Sequence, residues 1–187
     1  MSRWGKCVHA AAAVLATIAL CQSSPKANSA DIPQELMAAV MTAEADGLAL
    51  FKASQNPEVL DAQTISEARS RIANFCDFDY RPVRVMLHGE PAIFFLAKSS
   101  QPNDIIFGRH FKVVGTKVFA STKTCFNAGT PVAGTIGAYV THILSPAPSE
   151  FHVYLSLVHK EPLYIGTSAG FWVADKGKLK FLEKPKN

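Results

Sequence analysis

The chain has 187 residues, of which 48% are hydrophobic and 18% charged, with a formal net charge of +4. These proportions belong to a globular chain and exclude a disordered or fibrous one. Arg3, Lys6 and Lys26 account for three of the basic residues, and no acidic residue precedes Asp31. Residues 31–187 therefore hold 16 basic against 15 acidic side chains, a balance without the electrostatic footprint of a nucleic-acid binder.

The first thirty residues have the layout of a secretory signal peptide. Arg3 and Lys6 form a positive start, Ala10 to Leu20 (AAAAVLATIAL) an apolar run, and Ala27-Asn28-Ser29-Ala30 a small-residue cleavage site. The apolar run is too short for a bilayer, which takes about 20 residues. Cleavage is expected after Ala30, with Ser29 as the alternative. A lipid anchor at Cys21 is the weaker reading, because the bulky Leu20 stands where a small residue is normal. The expectation is a periplasmic or secreted protein with no membrane span, in which residues 31–187 form a single globular domain able to bury a core unaided. Cys76 and Cys125 remain in it, and in an oxidising compartment an even pair predicts a disulfide. Closing that loop would stabilise the fold by about 3–4 kcal/mol. The lysines at 176, 178, 180, 184 and 186 read as a solvated edge and tail that discourages aggregation.

Helical signals come first in chain order. Asp31 and Gln34 can form a capping box around Pro33. Leu36, Val40, Ala43, Gly47, Leu50 and Phe51 then recur at helical spacing to about Ser54. Thr64 and Glu67 predict a second capped helix, with Ile65, Ala68, Ile72 and Phe75 on its buried stripe and an end near Asn74. Beyond Cys76 the period becomes two. Residues 83–88 and 91–98 flank Gly89-Glu90 as a hairpin, and 105–114 and 117–122 flank Gly115-Thr116 as another. A Gly-rich loop spans 127–137. Further strands are expected at 138–145, 150–159, 162–167, 171–174 and 178–182. The predicted class is α+β, with two N-terminal helices packed on a curled, mainly antiparallel sheet of about eight strands.

In 150–159, Phe151, Val153, Leu155 and Leu157 alternate as a core face, which turns His152 and Tyr154 outward. His142 is expected against the core. Gly108-Arg109-His110 falls in mid-strand and offers an exposed cation beside a titratable ring. Arg109, His110, His152 and Tyr154 are therefore the candidate binding residues. Asp77-Phe78-Asp79 reads as a turn with ion-pair roles toward Arg81 or Arg84.

The pentapeptide GTSAG (166–170) fits the G-x-S-x-G pattern of a nucleophile elbow, with Ser168 as nucleophile. Over those five residues it resembles the serine motif of patatin-like lipases and of some serine dipeptidases, which implies a serine hydrolase. The resemblance stops there. An elbow opens a helix, whereas Phe171-Trp172-Val173 is β-prone; the patatin pattern has a later Asp-Gly, whereas Lys176 follows Asp175; and no histidine follows Ser168. The alternative to catalysis is a turn bounded by Gly166 and Gly170. No metal or cofactor motif is present in the spacing of His88, His110, His142, His152 and His159, and the loop 127–137 lacks the Lys of a phosphate cradle. The functional expectation is an exported, non-catalytic binding protein for a protein partner or a small ligand, such as an inhibitor or immunity-type partner of another envelope protein. The alternative is a secreted serine hydrolase using Ser168, or a Cys–His enzyme.

Overall fold

Apolar residues at helical spacing produce the first element. In the computed structural model, which describes residues 34–101, 104–130, 132 and 134–183, helix α1 runs Gln34–Gln55 and buries Val40, Ala43, Gly47 and Leu50. The signal-peptide and Cys21 readings, the Asp31–Pro33 half of the first cap and the tail lysines 184 and 186 lie outside the described residues. Helix α2 covers Ala62–Ser70. Its cap sits earlier than the T-x-x-E pattern suggests: Asp61 accepts from the Thr64 amide at 2.8 Å and the Thr64 hydroxyl at 2.7 Å. Glu67 accepts instead from Gln63 Nε2 at 2.8 Å, and the helix closes at Ser70 rather than near Asn74.

Strands β1 (Asp79–Leu87) and β2 (Glu90–Lys98) form the first hairpin. Its turn is His88-Gly89, one residue earlier than expected, and both residues have positive φ, +51° and +86°, as a two-residue hairpin turn requires. β4 (Phe111–Val114) and β5 (Lys117–Ala120) pair around Gly115-Thr116 and complete an antiparallel sheet of order β1-β2-β4-β5. β2 is buried on both faces. Ala92, Phe94 and Leu96 join the main core, while Phe95 meets Ala68 and Ile72 from the α2 segment, with Phe111 and Val113. The expected strand 105–114 is broken at Arg109-His110, leaving β3 (Ile106–Gly108) to pair with β6 (Phe126–Asn127) in a separate two-stranded sheet.

The second large sheet has the order β10-β9-β8-β7, from β7 (Ala138–Thr141), β8 (Leu163–Thr167), β9 (Gly170–Asp175) and β10 (Lys178–Glu183). The fold is thus α+β, but in two four-stranded sheets rather than one curled sheet of eight strands. The helices are not confined to the start either, because residues Glu150–His159, expected as a strand, form a third helix, α3. Ser149 stands at its N-cap, and Lys160 at φ +57° closes it in the left-handed conformation. The cause of the misreading is burial: every residue from Glu150 to Ser156 is buried. A helix covered on all sides has no polar face to reveal its period. α3 carries the chain from β7 to β8, which consequently pair in parallel.

α1 packs on β1, on β10 and on α3, and α3 packs on β8 and β9. One apolar cluster runs through both large sheets, from Val83, Val85 and Phe94 through Leu50, Phe151 and Val153 to Ile165 and Trp172. At the helix crossing, a Cβ on Gly47 would lie 2.5 Å from Val153 Cβ and 2.8 Å from the Glu150 carbonyl, so only glycine permits this approach. Among the described residues, no helix is long and apolar enough to cross a membrane.

Cys76 and Cys125 lie at disulfide distance, 49 positions apart, and tie the segment before β6 to the start of β1. For the chain beginning at Asp31, alkylation without reductant is expected to add no mass, and after reduction to add two alkyl groups. The paired Cys76→Ser and Cys125→Ser variant should lose about 3–4 kcal/mol of stability in denaturant titrations. Two alkyl groups added before reduction would show free thiols instead.

Candidate functional site

The C-terminal half of α3 faces the end of β2 across a cleft of about 520 Å³. Leu96, Ala97 and Lys98 form one wall, and Tyr154, Val158 and His159 the other. Arg81, residues 99–101, Asp104, Ile106, His110 and Leu155 complete the lining. Part of this lining is fixed by Asp104, whose carboxylate accepts from Ser99 (2.9 Å), Asn127 (3.0 Å) and Thr130 (2.7 Å). These hydrogen bonds hold the Asp104 carboxyl below its usual range.

His110 is a structural group within this cleft. It is 1% exposed. Its Nδ1 accepts the Ala97 amide at 3.0 Å, and Nε2 lies 2.7 Å from the Ile106 carbonyl. A carbonyl only accepts, so this pair of contacts assigns the neutral tautomer with its proton on Nε2. The ring stacks on Phe151 with 5.8 Å between centroids. Burial pushes its pKa down to about 4. The interrupted strand follows from the same residue: the His110 amide donates to Ser121 Oγ at 3.0 Å, and the Ser121 amide returns a bond to the His110 carbonyl at 2.8 Å.

Tyr154 lines the cleft from α3 and is buried rather than outward-facing. Burial raises its pKa, with the charge of Arg81 acting the other way. His152 is also buried, because its segment is helical. Its Nδ1 accepts the Ser149 amide at 2.9 Å, the return half of a capping box in which His replaces the usual Glu or Gln. Its pKa is pushed down to about 3, first by burial and then by His142, whose ring meets it edge-on at 4.7 Å. His142 is itself buried, with Nε2 3.2 Å from Ser145 Oγ, and burial lowers its pKa. Arg109 lies folded against the protein: Nη1 donates to the Lys123 carbonyl at 3.2 Å, the guanidinium sits 5.4 Å from the Phe111 ring centroid, and Nε is buried without a partner. The structure therefore joins His110 and Tyr154 in one cleft and places Arg109 and His152 elsewhere.

The cleft also holds residues that sequence reasoning missed: Arg81, Lys98 and His159. The ion pair expected between Asp77-Phe78-Asp79 and Arg81 or Arg84 does not form among the described residues; Arg84 reaches Glu58 instead, at 2.9 Å. Among the described residues neither Arg81 nor Lys98 joins an ion pair. His159 has its pKa lowered by burial. No three His, Cys, Asp or Glu side chains converge as a metal-binding group among the described residues.

Ser168 is exposed in the two-residue turn between β8 and β9. A strand follows it rather than a helix, so the chain does not form a nucleophile elbow there. Gly170 has the positive φ, +150°, and a Cβ on it would run into the Phe181 ring. Gly166 serves a different need, making room for the Tyr139 hydroxyl. In comparisons with family models, curated proteins and solved structures, nothing matches this chain.

Burial of neutral histidine predicts acid lability. Where the His110 pKa lies at about 4 in the fold and 6.5 in the open chain, the unfolded state binds more protons between those values. Stability is complete above pH 6.5 and lost as pH falls toward 4, by about 3 kcal/mol from His110, with His152 acting in the same direction. Urea titrations from pH 7.5 to 4 should show this loss. His110→Gln, which keeps a donor and an acceptor but does not titrate, should flatten the slope; an unchanged slope would refute the assignment.

Proposed function

We propose that the chain is an exported binding protein that holds a small anionic ligand, a carboxylate or a phosphate, in the cleft between β2 and α3, without a catalytic step of its own. The observation that carries the reading is the pairing of two cations without an ion-pair partner among the described residues, Arg81 and Lys98, with a concave wall fixed by His110 and Asp104. Concave sites with a few convergent polar groups are where small molecules are held. Guanidinium and ammonium groups supply charge-assisted hydrogen bonds to an anion. Ser99 and Ser100 line the same cleft. Location outside the cytoplasm is supported by the apolar run at residues 10–20 and by the cysteine pair.

Three groups that could have carried a catalytic step are otherwise engaged or placed elsewhere. Both His110 nitrogens are committed, and both cysteines are joined. Ser168 sits on a turn outside the cleft lining.

A panel of mono-, di- and tricarboxylates and phosphate esters should contain members that raise the melting temperature, since a ligand at 100 times its Kd stabilises by about 2.7 kcal/mol. Paired Arg81→Ala and Lys98→Ala substitutions should weaken calorimetric binding by about tenfold or more. A panel without effect, or binding indifferent to both substitutions, would refute the reading. Labelling of Ser168 by a fluorophosphonate probe would favour the hydrolase alternative.

A further inference from the structure

The second sheet leaves β7 as an edge strand. Its bonds to β8 include Ala138 N–H to the Pro162 carbonyl at 3.0 Å and His142 N–H to the Gly166 carbonyl at 2.7 Å. These turn the main-chain groups of the even-numbered residues toward β8. Main-chain groups of alternate residues point to opposite sides of a strand, so those of Tyr139 and Thr141 face outward. Among the described residues they take no hydrogen bond.

A groove of about 450 Å³ runs along this edge. One side is residues 139–144 and the other is residues 121–124 with Phe126. Phe126, Ile143 and Leu144 leave 45%, 67% and 41% of their surface exposed. Lys123 is the charged side chain of the groove, and no acidic residue lines it. The far wall is pinned: Cys125 is bonded to Cys76, Ser121 N–H donates to His110, and the Lys123 carbonyl accepts from Arg109.

We propose that this groove takes an extended segment of another protein, which adds to β7 as a fifth strand. Two outward residues at i and i+2 offer donors and acceptors repeating at about 6.6–6.8 Å, a spacing that an extended main chain matches. The partner segment is apolar and acidic: an apolar side chain seats among Phe126, Ile143 and Leu144, and a carboxylate faces Lys123. A lone strand fits better than the sheet edge of a second copy, because the pinned segment 121–126 stands opposite β7. This inference does not rest on the anion cleft, which uses other residues.

The probe is a fluorescein-labelled library of eight-residue peptides alternating apolar and acidic residues, read by fluorescence anisotropy against the disulfide-bonded protein. The expected result is a bound subset whose affinity falls about tenfold or more when alternate peptide nitrogens are methylated, since that removes main-chain donors. Binding should weaken with Lys123→Glu and with Thr141→Pro, the latter deleting one outward N–H at a position where an edge strand tolerates proline. It should be unchanged by Arg81→Ala with Lys98→Ala. Hydrogen exchange should slow at the amides of Tyr139 and Thr141. The N-methylated peptides keep the test decisive even if Thr141→Pro misfolds. Absence of binding, indifference to N-methylation, or unchanged exchange at both amides would overturn the proposal. So would a concentration-dependent dimer of this chain through β7, seen by ultracentrifugation.

Discussion

The arrangement depends on one crossing, that of α1 over α3. Gly47 brings the helix axes so close that any side chain there would overlap Val153 and the Glu150 carbonyl. That approach helps bury α3 from Glu150 to Ser156, and burial obliges the polar groups there to find partners inside. Each does so. Glu150 pairs with Lys112 at 2.5 Å, His152 accepts the Ser149 amide, and Ser156 donates to the Val153 carbonyl at 2.8 Å. The Glu150–Lys112 pair also fastens the start of α3 to β4 of the first sheet. Nearby Asp46, on α1, lies 3.1 Å from His88 Nε2 at the β1–β2 turn, and burial raises its pKa. Breaking a buried pair by removing one partner strands a charge, at a cost of about 3–5 kcal/mol. The Glu150–Lys112 contact therefore sets the position of α3 more narrowly than apolar packing alone.

Everything downstream inherits that position. With α3 between them in the chain, β7 and β8 run parallel and β7 becomes an edge. With the helix clamped at its start, its last turns project Tyr154, Val158 and His159 toward the end of β2 and create the cleft.

What could be read from the sequence were features carried by neighbours in the chain. The period of α1, the hairpin of β1 and β2 to within one residue of its turn, the turn at residues 115–116, the β8–β9 turn under GTSAG and the cysteine pairing all rest on local pattern or on parity of cysteines. α3 was hidden because its apolar residues at 151, 153, 155 and 157 satisfy a strand period while their neighbours are also buried. Its N-terminal signal was masked as well, since His152 occupies the place where Glu or Gln would betray a capping box. Strand parity points His152 and Tyr154 outward, and a helix does not obey it. His110 failed for a related reason, because its inward turn is dictated by Ala97, Ile106 and Ser121, partners separated from it by 4 to 13 positions and invisible to alternation. Arg81 and Lys98 could not be joined from sequence, lying at opposite ends of the hairpin formed by β1 and β2; antiparallel pairing brings Arg81 opposite Leu96, two residues from Lys98.

His110 links the two surfaces of the molecule. Its ring forms part of the cleft, held by Ala97 and Ile106, while its backbone exchanges hydrogen bonds with Ser121 at the head of the segment that walls the β7 groove. Ser121 Oγ reaches on to the Phe107 carbonyl at 3.3 Å. The lining of the cleft and the wall of the groove are therefore one hydrogen-bonded unit, closed at its far end by Cys125. A neutral imidazole suits the centre of such a unit, since it presents one donor and one acceptor to two fixed backbone groups. A protonated ring would present two donors, one of them aimed at the Ala97 amide, and would set donor against donor in a dry interior. The depressed pKa of His110 is the electrostatic expression of that geometry, and it makes the order of both surfaces depend on the same uncharged ring.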